Sequence, residues 1–547
     1  MTLNGKKSPG LIADWETLQR IFIRPEDEAC RQTLVKYMEQ ILFGLHDFLN
    51  SNVGVTEPIS LKELTREFRD TLISPNPEQK LESVISDIIT QIAPRAVNVA
   101  SPYFVGHMTA AIPFFMVHLK AIVAALNQNV IKLETSKVLS VLEKQVLAKI
   151  HRLIYNKSEA FYQTHVQSID TSLGAFTTGG TTANITAMWL ARNRFFDAIS
   201  KEQGVEEYGM VAAMQARGLD RAVILVSKRG HFSLKKAGGI LGIGNSNVLP
   251  MDVDAEHRVD VEKLGETIKA LKAHGRTGII ALVGIAGTTE TGTVDPLDDL
   301  ADLCQAHDIH FHVDAAWGGP VLLSERHAHL LKGIERADSV TMDGHKQFYM
   351  PMTCGMVYFK DPKAMDLVAY HSNYVNRQGS VDLGIKSLEG SREANALILD
   401  SSLKIMGSRG YALMVDHGIE TAKRFAAEIE DREGFQLITR PVLNILTYRV
   451  VPPALGALLE TADPEKRAAI NDFLDQLNTH VQRTQREAGK SFVSRTRLNL
   501  GPLDKKGVVV LRSVIMNPMT TINILNEILD EQERITAGFE GIFPGLE

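Results

Sequence analysis

Cysteine is scarce in this 547-residue chain, with only Cys30, Cys304 and Cys354, far apart and without a Cys-x-x-Cys pair. That spacing excludes a disulfide framework, a cysteine-ligated metal site and a redox dithiol, and it fits a reducing compartment. A dominant charge is also lacking. The 59 lysines and arginines are interspersed with 65 aspartates and glutamates, for a formal net charge of −6, so we expect neither nucleic acid nor a membrane surface as a partner. Long apolar runs are missing as well. The most apolar stretch, 279–287, is short and broken by glycine, and residues 1–15 carry two lysines with no apolar segment behind them. The expectation is a cytoplasmic protein with neither a spanning helix nor a secretory leader.

What is present is the composition of an ordinary globular protein, 44% hydrophobic and 23% charged, and long enough for two or three domains. Residues 1–95 read as a polar helical segment. Leu34, Met38, Ile41, Leu42 and Leu45 predict a helix over 29–49, and Pro58 with Ser60 as N-cap predicts a second. With one apolar stripe and no core of its own, this segment is expected to pack on the main domain or on another subunit. Residues 96–375 alternate apolar, β-branched runs (223–226, 279–283, 310–313, 339–342, 356–359) with helical stretches, the pattern of a mostly parallel sheet covered on both faces. Residues 376–547 predict a loop and a smaller α+β domain, with helices over 411–431, 464–488 and 521–535 and a strand over 508–515.

In open parallel sheets, ligands collect beyond the carboxyl ends of the strands, and the reactive residues fall there. Asp314 ends the strand in His310-Phe311-His312-Val313-Asp314-Ala315-Ala316-Trp317-Gly318-Gly319, and Lys346 stands just past the next strand, behind His345. A carboxylate and an amine so placed are what pyridoxal 5'-phosphate requires, the amine for a Schiff base and the carboxylate to keep the ring nitrogen protonated. A carboxylate at the end of an apolar strand needs a cationic partner, although an aspartate there also caps helices. Thr177-Thr178-Gly179-Gly180-Thr181-Thr182-Ala183-Asn184 opens the apolar helical run 185–191. Glycines permit close approach and a helix start offers free N–H groups, so this turn is either an anion seat or a plain cap.

Together these segments resemble the group II pyridoxal-phosphate-dependent amino-acid decarboxylases over roughly residues 95 to 530, and the run Asp343-Gly344-His345-Lys346-Gln347-Phe348-Tyr349-Met350-Pro351 is most similar to the bacterial aspartate and glutamate enzymes. The resemblance implies a fold type I α/β architecture and a homodimer with active sites at the subunit interface. It places Lys346 as the Schiff-base lysine, Asp314 on the ring nitrogen with Ala316 in the same run, and Gly180, Thr181 and His345 on the phosphate. In Ser227-Lys228-Arg229-Gly230-His231-Phe232-Ser233 it implies that His231 stacks on the ring and approaches the substrate carboxylate. Thr288 would border the cofactor, in a loop that also reads as a plain turn before Asp295-Pro296.

On the substrate side the resemblance points to His107 and Thr109 in segment 101–109, and to Arg512 as the arginine that grips a substrate carboxylate bidentately. Arg392 is a further match. One position departs from the pattern: the loop tyrosine expected to return a proton to the substrate carbon is here Val381, which leaves Tyr374 as the candidate donor. The implied reaction is α-decarboxylation of an acidic amino acid, with aspartate giving β-alanine for pantothenate synthesis preferred. Glutamate giving 4-aminobutyrate, and cysteine sulfinate, are the alternatives. An aminotransferase or a carbon–sulfur lyase on the same fold, or a non-catalytic protein, would be separated from these by product analysis.

Overall fold

The computed structural model describes residues 28–51, 54–197, 204–372, 380, 382–499 and 506–541. The apolar runs form strands wherever alternate side chains can be buried against helices on opposite faces. Seven strands, β1 (Gly174–Thr177), β2 (Arg221–Ser227), β3 (Val248–Met251), β4 (Thr277–Ile285), β5 (His310–Asp314), β6 (Ser339–Asp343) and β7 (Gly355–Phe359), lie in the order β1-β7-β6-β5-β4-β2-β3. Strands β3, β2, β4, β5 and β6 are parallel, and only β7 runs against its neighbours. The reason is length: residues 344–354 between β6 and β7 are fewer than the dozen or so that a parallel crossover needs. With β7 reversed, β1 points the same way as β6, so the carboxyl ends of β1, β2, β4, β5 and β6 share one edge.

Both faces are covered, as expected for an α/β fold. On one face Ile224, Val226, Ile280 and Val283 pack with Met188 and Leu190 of helix Gly180–Asp197. On the other, Val223, Leu225, Ile279 and Leu282 pack in the cluster that includes Val146, Leu300 and Tyr411. The period-two alternation along β2 decides which side chain goes to which cluster.

The C-terminal part builds a second, antiparallel sheet of β8 (Phe435–Thr439), β9 (Ile445–Val450), β10 (Ser494–Leu498) and β11 (Val508–Val514), in the order β10-β11-β9-β8. Tyr448, Leu511, Leu474 and Ile528 belong to its buried core, the last two from helices Pro464–Ala488 and Ile522–Ala537. The first of these begins at an Asp463 cap and ends at Gly489 with φ 73°, a left-handed stop that glycine adopts at little cost. The helix predicted over 411–431 is the later part of Asn395–Asp431, which is broken at Gly407. At the other end of the chain, Ser60 and Glu63 form a reciprocal capping box on helix Leu61–Glu67. Helix Glu28–Ser51 leaves Leu34, Val35 and Phe43 exposed. Among the described residues no helix is long and apolar enough to cross a membrane.

One buried ion pair ties the large sheet's helices to the chain leading into Asn395–Asp431. Glu143, fully buried in helix Val138–Tyr155, receives both terminal guanidinium nitrogens of Arg392. Burial works against the Arg392 charge, and the Glu143 carboxylate outweighs it. Removing one partner leaves an uncompensated buried charge, so Glu143→Ala should cost about 3–5 kcal/mol of unfolding free energy in a denaturant titration. A loss below about 1 kcal/mol, the value of an exposed pair, would show that solvent reaches the site.

Candidate active site

The strand directions gather the segments after β1, β2, β4, β5 and β6 at one edge of the large sheet, around a cavity of about 380 Å³ whose walls include Gly180, Thr181, Asn184, His231, Asp314 and Lys346. Gly180, Thr181 and Asn184 come from the helix after β1, and His231, Asp314 and Lys346 from the ends of β2, β5 and β6 or the loops that follow. The sequence separates Gly180 from Lys346 by 166 positions, and the sheet places both on one cavity.

Helix Gly180–Asp197 starts on this cavity, with its first N–H groups lacking helical partners and the positive end of its dipole facing it. A carboxylate already stands close by. An added Cβ on Gly180 would lie 2.9 Å from both Asp343 oxygens, so glycine is what allows the approach. Asp343 is 2% exposed, and its Oδ2 is 2.9 Å from Lys346 Nζ. Its Oδ1 has no hydrogen-bond partner. His345 sets its Nδ1 on the backbone of Cys354, with Nε2 3.7 Å from Asp343. Burial pushes the Cys354 thiol well up and keeps it protonated.

Asp314 ends a strand with no exposed residue. Its Oδ1 accepts from the Ala316 N–H at 3.1 Å and its Oδ2 from Asn184 Nδ2 at 2.8 Å. The same Asn184 nitrogen donates to Ser233 Oγ at 3.0 Å, and Ser233 Oγ is 2.8 Å from His231 Nδ1. Burial holds the His231 pKa below its usual value, against the attraction of Asp314, so the imidazole is neutral near pH 7.

Arg512 lies on β11, outside the lining of this cavity, and is 6% exposed. Its Nη1 donates to Gly106 O and Ser494 Oγ, both at 3.2 Å, while Nε and Nη2 have no partner. Burial lowers its pKa to about 10, opposed by Glu290, so it stays cationic at neutral pH. Segment 101–109 bridges this strand to the cavity: Val105 pairs with both Phe492 and Val514, and Met108 reaches the cavity wall. Between them His107 is depressed by burial and then by the charges of Arg512, Lys346 and His345, and its Nδ1 is 3.1 Å from Thr109 Oγ1.

The loop after β4 places its threonines differently from the sequence expectation. Thr288 turns inward, fully buried, with its hydroxyl 2.7 Å from Thr291 and 3.1 Å from Thr293. Thr289 lines the cavity instead. Gly287 has φ 96° in this turn, and a Cβ added there would lie 2.9 Å from Trp317. Arg392 forms the buried pair with Glu143 and is likewise outside the cavity lining. Tyr374 and Val381 lie outside the described residues. Asp343, Ser233 and His312 were not singled out in the sequence, although His310, His312 and Asp314 at every second position of an apolar strand mark one polar face.

The donor set suits one cofactor: a helix start for an anion, an amine, a buried carboxylate and a neutral imidazole. The family model described as the pyridoxal-dependent decarboxylase conserved domain matches residues 64–451. The chain belongs to this family. Pyridoxal 5'-phosphate is its cofactor, and the decarboxylase is a carboxy-lyase acting on an amino acid. An aspartate 1-decarboxylase of Aliivibrio fischeri is 43% identical over 98% of this chain and 97% of its own length. A human acidic amino acid decarboxylase is 29% identical over 92% of this chain and 89% of its own. The crystal structure of mouse CSAD superposes with a TM-score of 0.79 at 25% identity, covering 92% of this chain and 99% of that one.

The contact at Gly180 yields a test of the decarboxylase's cofactor seat. Gly180 opens the helix, where the interior preference for alanine does not apply, and an added Cβ would meet the Asp343 carboxylate, so Gly180→Ala should lower the thermal midpoint of the cofactor-free protein. Its Cβ would push Asp343 off Lys346, and cofactor should be lost faster on dialysis, followed by visible absorbance. Retention equal to that of the unaltered protein would show that the close approach is unimportant.

Proposed function

We propose that this decarboxylase removes the α-carboxylate of L-aspartate, giving β-alanine and carbon dioxide, as a homodimer. The observation that carries the acidic substrate is Arg512, a buried guanidinium with two nitrogens left without partners beside the entrance segment. A second carboxylate on the substrate satisfies both, and a fixed bidentate seat is what an arginine offers better than a lysine. Aspartate over glutamate rests on the 43% identity, nearly end to end, to an aspartate 1-decarboxylase. A cysteine sulfinic acid decarboxylase of mouse, 30% identical over 68% of this chain, makes the sulfinate analogue the second reading, since it too carries an anion one methylene from Cα.

When bound, pyridoxal phosphate supplies the electron sink that takes up the pair left on Cα as carbon dioxide departs. In our reading Lys346 would hold the cofactor through its amine, and Asp343 would hold the lysine ammonium when that amine is free. Asp314 would hold the ring nitrogen in its protonated form, with Ala316 supplying the amide that orients the carboxylate. Gly180, Thr181 and His345 would hold the phosphate, with Thr289 on the wall next to the buried Thr288. His231 would cover the ring with a neutral imidazole, and His107 and Thr109 would lie on the substrate side. Tyr374 is the proposed donor of the proton that replaces carbon dioxide. The exposed Leu34, Val35 and Phe43 of the first helix supply an apolar stripe for a second copy.

Amine products from aspartate, glutamate, cysteine sulfinate and tyrosine, assayed side by side, test the substrate assignment. Aspartate should lead, and Arg512→Met should lower kcat/KM on it by at least about tenfold, the loss expected for a charge-assisted contact, with the visible cofactor spectrum intact. Faster turnover of tyrosine than of any acidic substrate would defeat the assignment. Borohydride reduction should fix the cofactor on the peptide containing Lys346, and Lys346→Ala should abolish the adduct. The same labelled peptide in the variant would exclude Lys346.

A further inference from the structure

Behind Asp314 the strand carries two more polar side chains on the same face, and both are buried. His312 is fully buried, with Nε2 3.1 Å from Asn184 Oδ1 and Nδ1 2.8 Å from Ser339 Oγ. Ser339 Oγ is in turn 2.8 Å from His310 Nε2. The decarboxylation chemistry assigned above does not use these groups.

Counting donors orders the whole chain. Both hydrogens of Asn184 Nδ2 are engaged, one on Asp314 and one on Ser233. Its Oδ1 is therefore the atom facing His312, and His312 Nε2 must carry a proton to meet it. Burial drives the His312 pKa to about 3 and that of His310 to about 4, so each ring has a single N–H. His312 Nδ1 then accepts from the Ser339 hydroxyl, which accepts from His310 Nε2–H. On the other side of Asn184, Ser233 Oγ accepts from the amide and gives its own proton to His231 Nδ1, where the Ser233 N–H also points at 3.3 Å. The remaining proton of His231 is on Nε2.

We propose that His312 is a positioning residue that acts through the Asn184 side chain, fixing the amide orientation that keeps Asp314 an anionic acceptor and leaves His231 an Nε2–H donor. The reverse orientation would set Asn184 Oδ1 against the Asp314 carboxylate, a contact between two acceptors that is relieved only by protonating Asp314. A protonated Asp314 cannot hold a protonated ring nitrogen. The same reversal would face the Ser233 hydroxyl with an acceptor at Asn184, drawing its proton away from His231 Nδ1 and moving the His231 proton from Nε2 to Nδ1. One amide thus sets two site residues, and His312 selects its orientation without touching substrate or cofactor.

This inference rests on the reading that Asp314 faces the cofactor's ring nitrogen, and binding of two cofactors separates the two claims. The full-length protein, stripped of cofactor, is titrated with pyridoxal phosphate and with its 1-deaza analogue, in which a C–H replaces the ring nitrogen. Wild type should bind pyridoxal phosphate more tightly than the analogue. His312→Phe, which keeps an aromatic ring but has no N–H, should weaken pyridoxal phosphate by at least about tenfold and leave the analogue unchanged. His312→Gln, which restores an N–H donor, should recover most of the difference. Equal weakening of both cofactors in His312→Phe would reduce His312 to packing, as would a His312→Gln no better than His312→Phe, and unchanged affinities would remove it altogether. No discrimination by wild type would overturn the Asp314 assignment itself. If His312→Phe does not fold, Asn184→Leu supplies the same comparison, with loss of discrimination expected and retained discrimination overturning the proposal.

Discussion

Asp314 sits 6% exposed at the end of a strand with no exposed residue, and an unpaired carboxylate there would carry a desolvation penalty of several kcal/mol. The neighbouring structure offsets it with dipoles: an amide from Ala316, the Asn184 side chain one turn into the helix that opens at Gly180, and behind Asn184 the histidine and serine chain of β5 and β6. Among the described residues no cationic side chain contacts the carboxylate. In the proposed reading a protonated pyridine nitrogen would complete its environment, making the cofactor part of the electrostatics of the fold.

The same helix serves two parts of the cavity. Its start faces the region beside Lys346 and Asp343, and its fifth residue, Asn184, reaches Asp314, so one rigid element spaces an anion seat from a carboxylate. The small sheet adds the remaining piece. Val105 is paired to both Phe492 and Val514, which ties the entrance segment to β11 and brings Arg512 to Gly106. Asn444 meets Trp317 and Gln347, so the second sheet is pinned to the loops that follow Asp314 and Lys346.

Strands that are buried on both faces were legible as unbroken apolar runs, and β2, β4, β5, β6 and β7 stand where those runs stand. Helix Pro464–Ala488 was legible to the residue because an aspartate cap and a glycine stop bracket its periodic pattern. Strand β10, Ser-Arg-Thr-Arg-Leu, was not, because its polar alternation follows from lying at the sheet edge beside β11. Lys346, Asp314 and His231 were legible as loop residues after strands. Thr289 was not distinguished from Thr288, because the choice depends on a positive φ at Gly287 that no local residue pattern specifies. Asp343 escaped because an aspartate three residues before a lysine looks like any surface pair until both are seen to be enclosed.

The most direct test of the account is the fate of each aspartate carboxylate. Holoenzyme supplied with L-aspartate labelled with carbon-14 at C1 should release the label as carbon dioxide, while label at C4 should remain in β-alanine. Release of the C4 label with formation of alanine, or retention of both labels in a keto acid, would contradict α-decarboxylation and the arrangement of Lys346, Asp314 and Arg512 on which it rests.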